Sequence, residues 1–151
     1  MLAATKADRL HHESHDRLEA ILSLLTANAI EKARYSGSDV KVLALAAVRA
    51  TREAEAKKDG ETLPCIVGYP LKGEKIGRRT FDGTEAFAIF PGDLPTDPEE
   101  AMSGWKTDDA DMRFLRFRPP DPQALPSGGF APFPNIRLDR AMQALIGDRL
   151  A

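Results

Sequence analysis

Every one of the 11 prolines in this 151-residue chain lies between Pro64 and Pro134. Proline fixes φ and removes a backbone donor, so helix interiors and central strands exclude it. The distribution thus permits long uninterrupted elements only over residues 1–60. It leaves short elements for 61–118 and none for 119–134, where six prolines and two glycines fall.

Residues 1–59 contain 13 alanines and a single glycine, Gly37, which is a helical composition. Leu18, Ile21, Leu22, Leu25 and Ala29 recur at helical spacing. The spacing predicts a first helix over Thr5–Tyr35, roughly 45 Å long at 1.5 Å per residue. Gly37 is placed to end it in the left-handed conformation, with Ser38 capping a second helix that runs to Lys58 and Gly60. Val40, Leu43, Ala47, Ala50 and Ala54 form the seam of that second helix, and Leu45 and Val48 widen it. So short a connection predicts an antiparallel helical hairpin. Its second helix is apolar over more than one stripe, so Val40, Leu43 and Ala47 are candidates for packing against another subunit.

Beyond the hairpin the pattern shortens. Leu63–Pro70 and Glu85–Phe90 are β-prone, the latter with Phe87 and Ile89 on one face, and Met112–Arg118 is a third candidate strand. Asp97-Pro98-Glu99-Glu100 carries a capping acid, proline at the first helical position and acids in the first turn, the signature of a short helix. Residues 119–134 read as an extended arm. Leu138, Ala141, Met142 and Leu145 predict a terminal helix, with Asn135 as cap and Gly147 as stop. The expected class is α+β: a helical hairpin (1–60), a small antiparallel β-rich region with one short helix (61–118), then the proline-rich arm and terminal helix (119–151).

Composition bounds location. One cysteine excludes a disulfide framework, and with a start that turns polar within ten residues it favours a cytoplasmic setting. No apolar run approaches the roughly 20 residues of a membrane span. A net charge of −2 excludes a global attraction to nucleic acid or lipid.

Local charge is uneven. Lys72, Lys75, Arg78 and Arg79 form one basic segment, and Arg113, Arg116 and Arg118 alternate with Phe114 and Phe117 in another. Together they suit phosphate contact and base stacking. The acidic stretch 93–111, locally −6, offers them an alternative partner inside the fold or across a subunit contact.

Other constellations are weaker. The histidines cluster at His11, His12 and His15. A helix would place His11 and His15 one turn apart, as a pair able to chelate zinc, nickel or copper, or simply as a solvated face. Cys65 reads as a small buried hydrophobe, and a hairpin folded about Gly37 leaves a Cys65–His15 meeting open. Gly68–Lys75 imitates a phosphate loop but has Glu74 where lysine must follow the second glycine. Asp108-Asp109-Ala110-Asp111 lacks the glycine and terminal glutamate of a calcium loop. Phe130 and Phe133 are spaced as anchors on the arm.

These features predict a non-catalytic structural or adaptor protein that binds other subunits of an assembly, through Val40, Leu43, Ala47, Phe130 and Phe133, as a homo- or hetero-oligomer. One alternative is a nucleic-acid-binding or regulatory module using 72–79 and 113–118. Another is a metal-dependent enzyme using His11 and His15. No cofactor is called for by any motif.

Overall fold

The computed structural model of the chain describes residues 1–58, 60–103 and 115–147. Strand β1 (Leu2–Thr5) is followed by two single 3-10 turns at Ala7–Arg9 and His12–Ser14. Helices α1 (His15–Leu25) and α2 (Ala27–Tyr35) then lead to β2 (Val42–Leu45). β2 lies parallel to β1, with Leu2 opposite Val42 and Thr5 opposite Leu45. The first 45 residues are therefore a β–α–β unit, with α1 packed on both strands.

This corrects the expected helical hairpin, and the physical reasons are local. Val42-Leu43-Ala44-Leu45 is apolar at every position, as a parallel strand covered on its faces requires. Glu53–Lys57 alternates polar and small residues, a period of two that alanine content disguises. Of Val40, Leu43, Ala47, Ala50 and Ala54, only Leu43 and Ala54 lie in strands (Val42–Leu45 and Arg52–Lys58), and the other three lie in the segments before and between them. Alanine favours helix by less than about 1 kcal/mol per residue, which tertiary pairing outweighs. At the front, Lys6 adopts a left-handed conformation (φ 63°), which stops any helix from starting at Thr5.

Other local signals act where the sequence places them. Gly37 is left-handed, and Gly37 N–H and Ser38 N–H donate to the carbonyls of Arg34 and Ala33, closing α2. Between α1 and α2, Thr26 Oγ1 donates to the Leu22 carbonyl at 2.7 Å, a back-bond that bends helices.

The second sheet is antiparallel, in the order β3 (Arg52–Lys58), β4 (Glu61–Gly68), β7 (Phe87–Ile89). Pro64 is tolerated within β4 because β7 pairs only with Ile66–Gly68, so there β4 has one neighbour. A two-residue hairpin, β5 (Lys75–Ile76) with β6 (Arg79–Thr80), stands beside it. Ile66, Phe81, Ile89, Leu115 and Phe117 form the buried core over this sheet. Gly68 closes it: a Cβ there would stand 2.6 Å from Phe117 Cδ1. Of the expected strand Met112–Arg118, residues 112–114 lie outside the described part. Leu115 and Phe117 point into the core, and Arg116 is exposed.

Asp97 caps α3 (Pro98–Met102) by accepting Glu99 N–H at 2.9 Å. Residues 119–134 carry no helix or strand, only an isolated bridge between Ala124 and Phe130. The chain then returns to β2, where Ile136 and Ala46 exchange backbone hydrogen bonds. Helix α4 (Leu138–Ile146) follows. Glu19 on α1 ties these parts together, accepting Ala44 N–H at 2.7 Å and the Arg137 guanidinium. No helix among the described residues is long and apolar enough to cross a membrane.

Candidate functional site

In open parallel sheets, ligands settle outside the carboxyl ends of the strands. At that end of β1 and β2 lies a pocket of about 330 Å³ lined by Thr5, Lys6, Asp8, Leu45, Ala46, Ala47 and Val48. Most of its wall is apolar, with one buried carboxylate.

Asp8 is 7% exposed. Its Oδ2 accepts Ala50 N–H at 3.0 Å, and its backbone carbonyl accepts the Thr51 hydroxyl. The two segments following β1 and β2 thus hold each other, and Asp8 is fixed in orientation. A carboxylate offers about four acceptor positions, so one backbone bond leaves acceptor capacity free. The left-handed Lys6 beside it is one of only two non-glycine residues with positive φ among the described residues. Strain of this kind concentrates at ligand sites. Chemically, the pocket can take a flat apolar body carrying N–H donors on one edge.

The histidines are placed differently from the expected helical pair. His11 and His15 are both buried, at 7% and 3% exposure, so the reading as a solvated face is corrected. His11 precedes the second 3-10 turn while His15 opens α1, so the two are not stacked on one helix. His15 Nε2 bonds to the Ala7 carbonyl at 3.0 Å. The ligand-type cluster is instead His11, His12 and Glu13.

Burial pushes the His15 imidazole below its ordinary value of 6.5, the Ala7 carbonyl only partly opposing it. The unfolded chain therefore takes up a proton at His15 before the folded one does. Stability associated with His15 is complete above pH 6.5 and falls as pH drops through the depressed folded value. Urea midpoints between pH 7.5 and 5.5 are expected to fall less steeply for His15→Asn than for the parent. Equal slopes would refute the assignment.

Cys65 is buried on β4 opposite Ala54, and burial raises its thiol pKa, the reverse of what a nucleophile needs. With the hairpin absent, the geometry that left a Cys65–His15 meeting open is gone. Glu74, the residue that spoils the phosphate-loop imitation, accepts Arg116 N–H at 2.9 Å and Arg116 Nε at 2.7 Å, which holds its carboxyl below the usual range.

The two basic segments lie side by side, with Leu71 N–H donating to the Arg116 carbonyl and Arg118 N–H to the Tyr69 carbonyl, but several of their charges are already engaged. Lys72, Lys75 and Arg78 are exposed around the β5–β6 hairpin. Arg79 lies over the Phe81 and Phe87 rings, Arg116 is engaged by Glu74, and Arg118 lies over Tyr69 and near Asp121. Arg113 and the acidic run 108–111 lie outside the described residues. A second cavity, about 440 Å³, opens between Arg49, Arg52, Tyr69 and Arg118, but among the described residues the only carboxylate lining it is Asp121, which is exposed.

Of the residues expected to bind partners, Val40 precedes β2 and Leu43 pairs with Ala3, both half-buried. Phe130 and Phe133 are 67% and 43% exposed on the arm. Ala47 belongs to the pocket instead. Lys6 and Asp8 escaped sequence reasoning because a helix was drawn through them. The available signal was the apolar run Met1–Ala4 followed by Thr5, Lys6 and, after Ala7, Asp8, which is a strand with a polar exit.

Residues 1–150 match the family described as "YcjX-like family, DUF463". A protein of Escherichia coli (strain K12) named Ras-like GTPase YcjX is 32% identical over 151 residues. A protein of the same name from Shewanella oneidensis is 30% identical over 154 residues. Both alignments take in 99% of this chain and 28% of the relative, so the chain spans a little over a quarter of the length of each. Relatives named for an enzyme overturn the expectation of a non-catalytic structural or adaptor subunit of an assembly. The nucleic-acid module and the His11/His15 metalloenzyme are set aside with it.

Proposed function

The chain belongs to the YcjX-like family, and on that premise we propose that it supplies the guanine-recognising part of a GTP-hydrolysing protein. The observation that carries this reading is Asp8: a buried, pre-oriented carboxylate lining an apolar pocket at the carboxyl ends of two parallel strands. Guanine presents adjacent N1–H and N2 amino donors along one edge, and a carboxylate accepts both at once. Adenine presents an acceptor at N1, which the same carboxylate repels. Leu45, Ala46, Ala47 and Val48 supply apolar contact for the ring. The methylene stem of Lys6 covers a base face while its ammonium stays in water. The name Ras-like GTPase on both relatives supports guanine over other donor-edged bases.

The phosphates fall to other residues in this proposal. Gly68–Lys75 cannot cradle them, because the Glu74 carboxylate occupies the segment and is committed to Arg116. The relatives' remaining length offers the place for phosphate handling and hydrolysis. We place the activity in the cytoplasm, on the argument of a single unpaired thiol, Cys65. Competition of GDP and ADP for the intact protein tests the reading. GDP is expected to win by at least about 100-fold, the worth of two charge-assisted hydrogen bonds. Equal affinities would overturn it.

A further inference from the structure

We propose that His11, His12 and Glu13 form a binding site for a borderline divalent transition metal, distinct from the base pocket. One potential ligand atom from each residue lies within 4.8 Å of the others. The independent observation is His11 Nδ1: the side chain is 9% exposed, and this nitrogen has no hydrogen-bond partner. Buried polar atoms are rarely left so, and an orphan calls for a ligand.

That nitrogen faces a carboxylate. His11 Nδ1 and Glu13 Oε2 are 3.7 Å apart, too far for a hydrogen bond. Bonds of about 2.0–2.2 Å around a tetrahedral ion put neighbouring ligand atoms about 3.3–3.5 Å apart, so an ion bridges the two after a shift of a few tenths of an ångström. His12 lies alongside, its ring centroid 4.4 Å from that of His11. His12 Nδ1 meets Glu53 Oε2 at 2.9 Å, and a carboxylate can only accept, so that nitrogen carries the proton and a metal would take the lone pair of Nε2 in the neutral ring. A carboxylate behind a ligating histidine is the usual way such a ring is oriented and made more basic. Two imidazoles and one carboxylate select zinc, nickel or copper over magnesium or calcium. Glu53 belongs to β3 and is also held by Arg49 at 3.1 Å, so the ion would staple residues 11–13 to the second sheet.

Zinc is the probe. The metal-stripped intact protein, in buffer containing excess Mg²⁺, is titrated with Zn²⁺ by calorimetry beside His12→Ala and Glu13→Gln. Both replaced side chains are exposed, so both variants keep the fold, which circular dichroism checks. The parent is expected to bind one equivalent more than either variant, and zinc to raise the unfolding midpoint of the parent alone. Glu53→Gln is expected to retain the site with about 10-fold weaker affinity. Unchanged stoichiometry and affinity in both His12→Ala and Glu13→Gln would overturn the site. GDP binding is scored separately, so failure here leaves the base pocket to its own test.

Discussion

Replacing Asp8 by asparagine is expected to lower the affinity of the intact protein for GDP by about 10²–10³-fold and to raise its affinity for xanthosine diphosphate. Asp8 Oδ2 is held by Ala50 N–H, and an asparagine oxygen can accept the same bond, so the loop is retained. The other position then changes from carboxylate oxygen to amide nitrogen. Against guanine, an N–H donor now faces N–H donors. Replacing one hydrogen bond to a charged acceptor by a donor–donor contact and removing the charge from the remaining oxygen costs about 3–4 kcal/mol, which gives the stated range. Xanthine has a carbonyl where guanine has its amino group, and the new amide donates to it. Equilibrium competition between the two diphosphates reads the switch. Weakening of both nucleotides alike would mean that Asp8 shapes the loop without reading the base.

Local punctuation was legible in the sequence, and long-range pairing was not. Gly37, the Asp97 cap, the proline-free and proline-rich division and the terminal helix each depend on residues within a turn of one another. β1 and β2 depend on each other across 40 positions. Ala44 and Ala46 are buried at and just after β2, where α1 packs and Ile136 pairs, yet to a local reading they favour helix. The same error hid the site. A helix through Thr5–Tyr35 turns Asp8 into one more charge on a polar face. The strand makes it the first carboxylate past a β-strand exit, held by an N–H from residue 50. His11 and His12 suffered in the same way: their neighbours in space include Glu53, which the hairpin would have placed on another helix. The rejection of Gly68–Lys75 as a phosphate loop needed no topology, since it rested on Glu74 and Lys75 standing where the motif requires lysine and then serine or threonine, and on the charge of Glu74.

Ile66→Ala separates stability from recognition. Ile66 is 1% exposed and packs with Phe81, Ile89, Leu115 and Phe117, on β4 where both neighbouring strands are present. Truncation removes three carbons and leaves a cavity walled by aromatic rings that the flanking strands hold apart. The expected loss is about 3–4 kcal/mol, read from chemical denaturation. None of these five residues lines the pocket around Asp8. The link between the two regions is Ala50, which packs against the core while its N–H holds Asp8. Relaxation of the core that moves Ala50 would weaken GDP binding several-fold, since one restraint on the carboxylate loosens. The proposed preference for guanine over xanthine is expected to stay unchanged, because it would follow from which atoms Asp8 presents. A destabilised variant with an unchanged GDP-to-xanthosine-diphosphate ratio is therefore the expected result. A changed ratio would mean that the core sets the orientation of Asp8 as well as supporting it.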